Sequence, residues 1–160
     1  METGNQFSAD IKALKIIHAA MAIGQVLFVA IIVFLVLTGL IPGVEGSLAN
    51  ILLMITVFFI LSGTIGSQLL FQSRLNLARK ETTLAGKLAV YRSALIIRYA
   101  LIELPSLFTV IAALLTGNTL FLLLAGMIIV FFLTLYPSAT RVAMHLGLEP
   151  EEKALLGVME

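Results

Sequence analysis

The sequence contains no cysteine and no tryptophan among its 160 residues. The absence of cysteine excludes disulfides, thiolate nucleophiles and cysteine-ligated metal centres. Charge is also scarce, because Asp, Glu, Lys and Arg together make up 12% of the chain, against about 25% in an ordinary globular protein. The net charge of +1 provides no basic surface for nucleic acid, so no nucleic-acid partner is expected.

Hydrophobic residues make up 60% of the chain, and the mean hydropathy is +1.09. A soluble domain of this size would need a much larger charged fraction to cover its surface. The composition therefore predicts an integral membrane protein whose environment is the lipid bilayer. We expect the fold to be all-α, because a helix satisfies its own backbone hydrogen bonds in lipid.

Four segments are predicted to cross the membrane, since about 20 apolar helical residues span a hydrocarbon core of roughly 30 Å. They cover about residues 16–39, 49–72, 94–115 and 119–136. Pro42 and Gly43 indicate a turn after the first crossing, and Thr116–Thr119 indicate a turn between the third and the fourth. The prediction is a single membrane domain over residues 1–160, built as a four-helix bundle.

The basic residues predict the orientation of this bundle. They lie before the first crossing, in and beside the loop at about residues 73–93, and in the tail at 137–160. The positive-inside rule therefore places both termini and that loop in the cytoplasm, with a bacterial inner membrane as the expected location. Arg74 and Arg98 are expected to contact lipid headgroups at the inner boundary.

The flanking segments have helical signals of their own. Ser8 and Asp10 are candidate caps for a helix that continues into the first crossing. The 73–93 loop is predicted to extend the second and third crossings as helices, with a bend near Thr82–Gly86. In the tail, we expect a short helix that ends at Gly147 and a second one that begins at Pro150.

The polar residues most relevant to function are predicted to lie in the cytoplasmic half of the membrane. Tyr99 and Glu103 are four residues apart on the third crossing and so share a helix face. A carboxylate in lipid costs roughly 2.5 to 3.5 kcal/mol, so Glu103 is expected to face a partner or water. Gln68 on the second crossing and His18 on the first are the partners we consider, which predicts a proton- or ion-binding site.

Small residues indicate where helices approach closely. Gly63, Gly66 and Ser67 are predicted to pack against a neighbouring helix, because small side chains let two backbones come together in lipid. Pro105 is expected to bend the third crossing, since it cannot donate to the carbonyl oxygen of residue 101.

Part of the chain resembles a known family. The stretches LSGTIGSQLLFQ and RYALIELPSLFTVIAALL, joined by a basic loop, resemble a proteolipid c-subunit hairpin of rotary ATPases. The resemblance implies that Gly63 and Gly66 belong to a glycine-rich first helix and that Glu103, followed by Pro105, is the ion-carrying carboxylate. The whole chain also resembles uncharacterised bacterial four-helix membrane proteins with Arg, Glu and Pro on helix three, a likeness that implies no activity.

Enzyme signatures are missing from the sequence, which contains no P-loop, dinucleotide fingerprint, paired metal-binding histidines or nucleophile elbow. We therefore expect a non-enzymatic protein without a cofactor or metal. The leading hypothesis is a small membrane subunit that binds a proton or ion through Glu103, in a homo-oligomer or a larger membrane complex. One alternative is a structural or scaffolding protein in which Glu103 only holds helices together, and another is a protein that binds lipid or a small amphiphile.

Overall fold

A computed structural model describes residues 2–40 and 46–158 of the chain. Within these residues the fold is all-helical and contains no strand. The helices are α1 (Glu2–Leu37), α2 (Ser47–Ala78), α3 (Leu84–Thr116), α4 (Thr119–Leu133), α5 (Ala139–Leu146) and α6 (Pro150–Leu155). The turn predicted at Pro42 and Gly43 lies outside the described residues.

Three of the helices are long and apolar enough to cross a membrane. The qualifying stretches are Ala9–Leu37, Ser47–Ala78 and Leu84–Thr116, with 29, 32 and 33 residues. At about 1.5 Å per residue, each of them is longer than a hydrocarbon core of roughly 30 Å. These lengths are those of a multi-pass integral membrane protein.

The fourth apolar helix is shorter than the sequence predicted. Helix α4 has 15 residues and ends at Leu133, whereas the predicted crossing continued to residue 136. The Thr134 hydroxyl donates to the Phe131 carbonyl oxygen at 2.6 Å, which closes the last turn. Pro137 then disfavours a helical conformation at the residue before it. The helix is therefore about 22 Å long, less than a full hydrocarbon core.

The predicted turn between α3 and α4 is confirmed. Gly117 has φ +64°, a left-handed conformation that glycine adopts without strain. Asn118 caps α4, because its side-chain oxygen accepts a hydrogen bond from the Leu120 backbone N–H at 2.9 Å.

The helices that flank the apolar segments agree with the sequence in part. As predicted, α5 ends before Gly147 and α6 begins at Pro150. The bend between α2 and α3 falls at residues 79–83, earlier than the predicted Thr82–Gly86, because α3 already begins at Leu84. The capping role predicted for Ser8 and Asp10 is wrong, since α1 begins at Glu2 and both residues lie inside it. The residues before the apolar part of α1 are already helical, so the helix has no amino terminus at Ser8 or Asp10 for a side chain to cap.

The chain forms two compact units. The predicted single membrane domain over residues 1–160 stays a prediction. Unit 1 comprises Met1–Ala20, Gln68–Arg98 and Tyr136–Glu160, and unit 2 comprises Met21–Ser67 and Tyr99–Leu135. All 10 Lys and Arg residues belong to unit 1. The sequence of unit 2 has Glu45 and Glu103 as its only charged residues. The two units therefore differ sharply in polarity.

The core of unit 2 is built from small and apolar side chains of three helices. It contains Ile32 from α1, Val110, Ala112 and Ala113 from α3, and Phe121 and Ala125 from α4. Alanines at these positions let the helix backbones approach, as is usual for helix packing in lipid. A buried hydrogen bond from the Ser106 hydroxyl to Gln25 Oε1, at 3.1 Å, joins α3 to α1 within this core.

Unit 1 is joined by polar and aromatic contacts between segments that are far apart in sequence. Lys87 Nζ on α3 lies 2.7 Å from Glu152 Oε1 on α6. A second hydrogen bond from Lys87 Nζ reaches Glu152 Oε2 at 2.9 Å. Glu152 also accepts from the Glu149 backbone N–H at 3.1 Å, which completes a capping box at the start of α6. This carboxylate therefore both caps its own helix and attaches it to α3.

Replacing Glu152 with Gln is expected to loosen α6 from α3 by about 0.5–1 kcal/mol, the usual value of a partly exposed ion pair. Burial raises the pKa of Glu152, but the Lys87 hydrogen bond, the Glu149 backbone and the Lys87 charge together lower it below the ordinary value of 4.5. The stabilisation is therefore complete above pH 4.5 and is lost as the pH falls below it. Hydrogen exchange of α6 at neutral and acidic pH measures this effect. Glu151→Gln, at the exposed neighbouring position, is the matched control, and equal exchange in both variants would contradict the expectation.

Candidate functional site

Glu103 lies within α3, which continues without interruption from Leu84 to Thr116. Its side chain is half-buried. The next residue, Leu104, is 62% exposed, and Leu107, one helical turn further on, is 37% exposed. Glu103 therefore lies at the edge of the exposed apolar face of α3. Its carboxylate forms no hydrogen bond or ion pair with any residue that the structure describes.

Tyr99 lies one turn before Glu103, but its hydroxyl binds the segment that follows α4. The side chain is fully buried, and its hydroxyl donates to the Leu135 carbonyl oxygen at 3.1 Å. Leu135 follows the end of α4, where backbone carbonyls lack partners within the helix. The Tyr99 ring also packs against Phe132, with ring centres 5.1 Å apart. Tyr99 therefore ties α3 to the carboxyl end of α4.

Gln68 and His18 belong to unit 1, whereas Tyr99 and Glu103 belong to unit 2. Gln68 Oε1 accepts a hydrogen bond from Arg98 Nη2 at 2.7 Å. The buried His18 ring meets the Tyr136 ring edge-on, with ring centres 5.7 Å apart. Ion binding by the four residues together stays a prediction, because each of Gln68, His18 and Tyr99 has a defined contact of its own.

Of the two residues expected at lipid headgroups, Arg74 is exposed and Arg98 is half-buried. Besides its bond to Gln68, the Arg98 guanidinium lies over the Phe71 ring, 4.6 Å from its centre. An arginine in this geometry gains a cation–π attraction. Headgroup contact by either arginine remains a prediction.

Gly63 on α2 lies directly against Leu101 and Pro105 on α3. Pro105 has no N–H, so the Leu101 carbonyl oxygen loses the donor that a helix normally supplies. A Cβ atom at Gly63 would lie 2.8 Å from this oxygen and 2.7 Å from Pro105 Cγ. Both distances are shorter than real Cβ contacts, so this position accepts only glycine without a shift. We call this contact the Gly63–Pro105 joint.

The other small residues predicted to pack behave differently. No described atom outside its own helix turn lies within 4 Å of the Cβ position at Gly66, so Gly66 is not in a contact of this kind. Ser67 is buried, and its hydroxyl donates to the Thr64 carbonyl oxygen of its own helix at 2.8 Å. A close approach is thus present at Gly63 and absent at Gly66.

An apolar groove of about 550 Å³ lies beside the joint, between α2 and α3. Its lining includes Phe59 and Ser62 from α2 and Leu104 and Phe108 from α3. The groove contains no charged lining residue, and Leu104 is the sequence neighbour of Glu103. Its chemistry suits a hydrocarbon chain or another apolar surface.

Sequence reasoning missed a cluster in unit 1 around His145. The Tyr91 hydroxyl lies 3.1 Å from His145 Nδ1, and Tyr91 is 1% exposed. The Phe71 ring meets the His145 ring edge-on at 5.5 Å. Arg79 Nε donates to the His145 backbone oxygen at 2.8 Å. Tyr91 and His145 are 54 residues apart, so no pattern within a short stretch of sequence predicts their contact.

The charge state of His145 follows from these surroundings. Burial lowers the pKa of His145 from its ordinary value of 6.5, and the positive charges of Arg98, Arg141 and Arg79 lower it further. The imidazole is therefore neutral at pH 7, which lets Nδ1 accept a hydrogen bond from Tyr91. Among the described residues, no group of three or more His, Cys, Asp or Glu side chains is placed to hold a metal ion.

Comparison of the chain with protein-family models, curated proteins and solved structures finds no match. Function is therefore inferred from the chemistry of the chain's own residues.

Proposed function

We propose that the chain is a small, non-enzymatic membrane subunit that uses Glu103 to bind a proton or cation within a homo-oligomer or a larger membrane complex. The observation that carries the proposal is the position of Glu103 at the edge of the exposed face of α3, without a partner among the described residues. A carboxylate that faces lipid costs roughly 2.5 to 3.5 kcal/mol. A bound proton or cation, or a neighbouring chain, removes that cost.

The proposal includes four crossings with both termini in the cytoplasm of a bacterial cell, at its inner membrane. Contacts within unit 1 support this topology, because they join the three segments that hold the basic residues. Asp10 lies 3.7 Å from Arg92, and the ring of His18 meets that of Tyr136. Segments on opposite sides of a bilayer could not make these contacts, and the positive-inside rule assigns their common side to the cytoplasm.

The fourth crossing of this proposal is the short helix α4. A helix shorter than the hydrocarbon core is accommodated by local thinning of the bilayer at modest cost.

A second candidate function is binding of a lipid or small amphiphile, and the apolar groove beside the Gly63–Pro105 joint favours it. The groove volume of about 550 Å³ lies in the usual range for small-molecule sites. In that function Glu103 is not required for binding. A scaffolding role, with Glu103 protonated and linking helices, is the third alternative, and it needs a partner for Glu103 inside the chain.

Replacing Glu103 with Gln is expected to abolish the proton- and cation-linked response of the protein and to leave its fold intact. Glutamine has nearly the same shape but cannot ionise, so the titration of residue 103 disappears. Cation binding loses a charged interaction and weakens by about 1.5–3 kcal/mol, or roughly 10–100-fold, which takes it below detection at the same Na⁺ concentrations. The measurement is infrared difference spectroscopy of the carboxyl band in nanodiscs, titrated with pH and with Na⁺, together with the mass of the assembly. Glu81→Gln, at an exposed acid of unit 1, is the control.

The alternatives give different results in the same experiment. If Glu103 only links helices, Glu103→Gln is nearly harmless, Glu103→Leu lowers the melting temperature, and the wild type shows no Glu103-dependent titration. That pattern would contradict the proposed proton or cation binding. Under the lipid-binding alternative, both Glu103 variants retain copurified lipid and fold as the wild type does.

A further inference from the structure

Residues 139–156 of unit 1 contain α5, α6 and the turn between them, and we call this segment the helical tail. Helices α5 and α6 have 8 and 6 residues. Helices of this length are not stable by themselves in water. The side chains of Val142, Ala143 and Leu146 are at most 3% exposed, so the tail is packed against other parts of unit 1. Its helical form therefore depends on these contacts.

Polar contacts attach each helix of the helical tail to α3. On α6, Glu152 accepts hydrogen bonds from Lys87 Nζ at 2.7 and 2.9 Å. On α5, His145 Nδ1 lies 3.1 Å from the Tyr91 hydroxyl. The His145 ring also meets the Phe71 ring of α2 edge-on, with ring centres 5.5 Å apart. His145 therefore joins the tail to both α2 and α3.

The contact between Tyr91 and His145 requires a neutral imidazole. Tyr91 is 1% exposed, and a hydroxyl that is shielded from water needs an acceptor within the protein. Among the described residues, the acceptor that the structure gives this hydroxyl is His145 Nδ1. A neutral imidazole has one unprotonated nitrogen that accepts, whereas an imidazolium carries a proton on both nitrogens and only donates. Protonation of His145 therefore removes the acceptor of the Tyr91 hydroxyl.

The charged groups that face His145 also favour its neutral form. Arg79 Nε donates to the His145 backbone oxygen at 2.8 Å. Burial is the largest cause of the lowered pKa of His145, and the charges of Arg98, Arg141 and Arg79 lower it further. No acid of the described part of the chain forms an ion pair with this ring. Burial and the Tyr91 contact act in the same direction by themselves.

We propose that the helical tail is a pH-sensitive device, which is docked on unit 1 while His145 is neutral and is released when the ring takes up a proton. In the released tail the ring lies in water, where both N–H groups of the imidazolium find acceptors. The pKa of His145 is then near its ordinary value of 6.5, above that of the docked ring. Docking is therefore complete above pH 6.5 and weakens as the pH falls below it, by up to about tenfold for each pH unit.

The acid of the second attachment does not titrate in this range. Burial raises the pKa of Glu152, but its hydrogen bonds with Lys87 and the Glu149 backbone, and the Lys87 charge, lower it below the ordinary value of 4.5. Its contact with Lys87 is therefore kept at mildly acidic pH. The device is also independent of the proposed proton or cation binding, because Glu103 belongs to unit 2.

The test is hydrogen exchange of the full-length protein in phosphatidylcholine nanodiscs, at about pH 7.5 and about pH 5.5, the range in which histidine titrates. The protection of the backbone amides in residues 139–156 is followed after correction for the intrinsic exchange rate at each pH. Protection of α4, in unit 2, reports on the rest of the fold. His145→Gln removes the titration but keeps a side-chain oxygen that can accept from Tyr91. His18→Gln, at the second of the two histidines in the sequence, is the matched control.

We expect the protection of the wild-type tail to fall by about three- to tenfold at the lower pH, while that of α4 stays constant. The His18→Gln variant should show the same fall. The His145→Gln variant should keep its tail protected at both pH values. His145→Lys carries its charge at both pH values, so its tail should exchange rapidly in both.

Three results would overturn the proposal. The first is equal protection of the wild-type tail at both pH values, and the second is a parallel loss in α4, which would mean general unfolding. The third is a pH response that survives in His145→Gln or disappears in His18→Gln. If His145→Gln does not fold, as judged by its helical content and melting temperature, Tyr91→Phe replaces it. This variant lacks the hydroxyl that needs the acceptor, so its pH response should be smaller, and an unchanged response would count against the device.

Discussion

Replacing Gly63 with alanine is expected to lower the free energy of unfolding by about 1–3 kcal/mol, the usual effect of adding a methyl group to a filled contact. The new Cβ would meet the Leu101 carbonyl oxygen at 2.8 Å and Pro105 Cγ at 2.7 Å. A backbone oxygen cannot move aside as the tip of a flexible side chain can. Helices α2 and α3 must therefore separate, and thermal unfolding in nanodiscs measures the loss.

Gly66→Ala, three residues further along α2, is the matched control. Nothing described lies within 4 Å of its Cβ position. The free energy of unfolding should therefore stay unchanged or rise by up to about 1 kcal/mol, because alanine has the better helix propensity. Pro105→Ala in the Gly63→Ala background should recover part of the loss, because the new N–H can bind the Leu101 oxygen. Equal melting temperatures for the two glycine variants would show that the joint does not contribute to stability.

The Gly63–Pro105 joint also bears on the proposed function. In the sequence of α3, Glu103 lies between Leu101 and Pro105, whose atoms lie nearest to the Cβ position of Gly63. A shift of this turn moves the carboxylate relative to the exposed face of the helix. Gly63→Ala should therefore alter the infrared titration of Glu103 as well as the stability, whereas Gly66→Ala should alter neither.

Replacing Phe132 with alanine is expected to destabilise the protein by about 3 kcal/mol, at the low end of the range for a buried aromatic residue. The low end applies because lipid is as apolar as the core, so the cost comes from lost packing rather than from transfer out of water. Phe132 is fully buried and packs against Tyr99, with ring centres 5.1 Å apart. The cavity would also free the Tyr99 side chain that binds the end of α4.

Phe131→Ala provides an adjacent control of the same chemistry. Phe131 is 37% exposed, so most of its surroundings can be refilled by lipid and the loss should be about 1 kcal/mol or less. Thermal unfolding of the two variants in identical nanodiscs makes the comparison. A larger loss for Phe131 than for Phe132 would contradict the packing of α4 described above.

The parts of the fold that were predictable are those governed by local chemistry. Long uncharged runs predicted the apolar helices, and Gly117, Asn118 and Pro150 indicated where helices end or begin. Each of these signals acts within a few residues, through a cap, a positive φ or a missing N–H. The end of α4 was misplaced because hydropathy continues past Leu133, while the Thr134 hydroxyl bond and Pro137 stop the helix.

Only part of the candidate site's geometry could be predicted from the sequence. The sequence indicated that Glu103 is a rare acid inside an apolar helix, and α3 does contain it without a break. The four-residue spacing predicts that Tyr99 and Glu103 share one face of α3. Spacing along one helix does not determine which acceptor the Tyr99 hydroxyl donates to. That depends on the other helices, and for Tyr99 the acceptor is the Leu135 carbonyl oxygen, 36 residues away in the chain.

By itself, then, the sequence determined that this is a helical membrane protein with one unusual acid and with its basic residues in three separate segments. Only the tertiary structure decided that Gly63 rather than Gly66 faces a proline, and that Tyr91 and Arg79 contact His145. The physical reason is that composition and turn chemistry act over a few residues, whereas these contacts depend on how distant helices rotate and pack against each other.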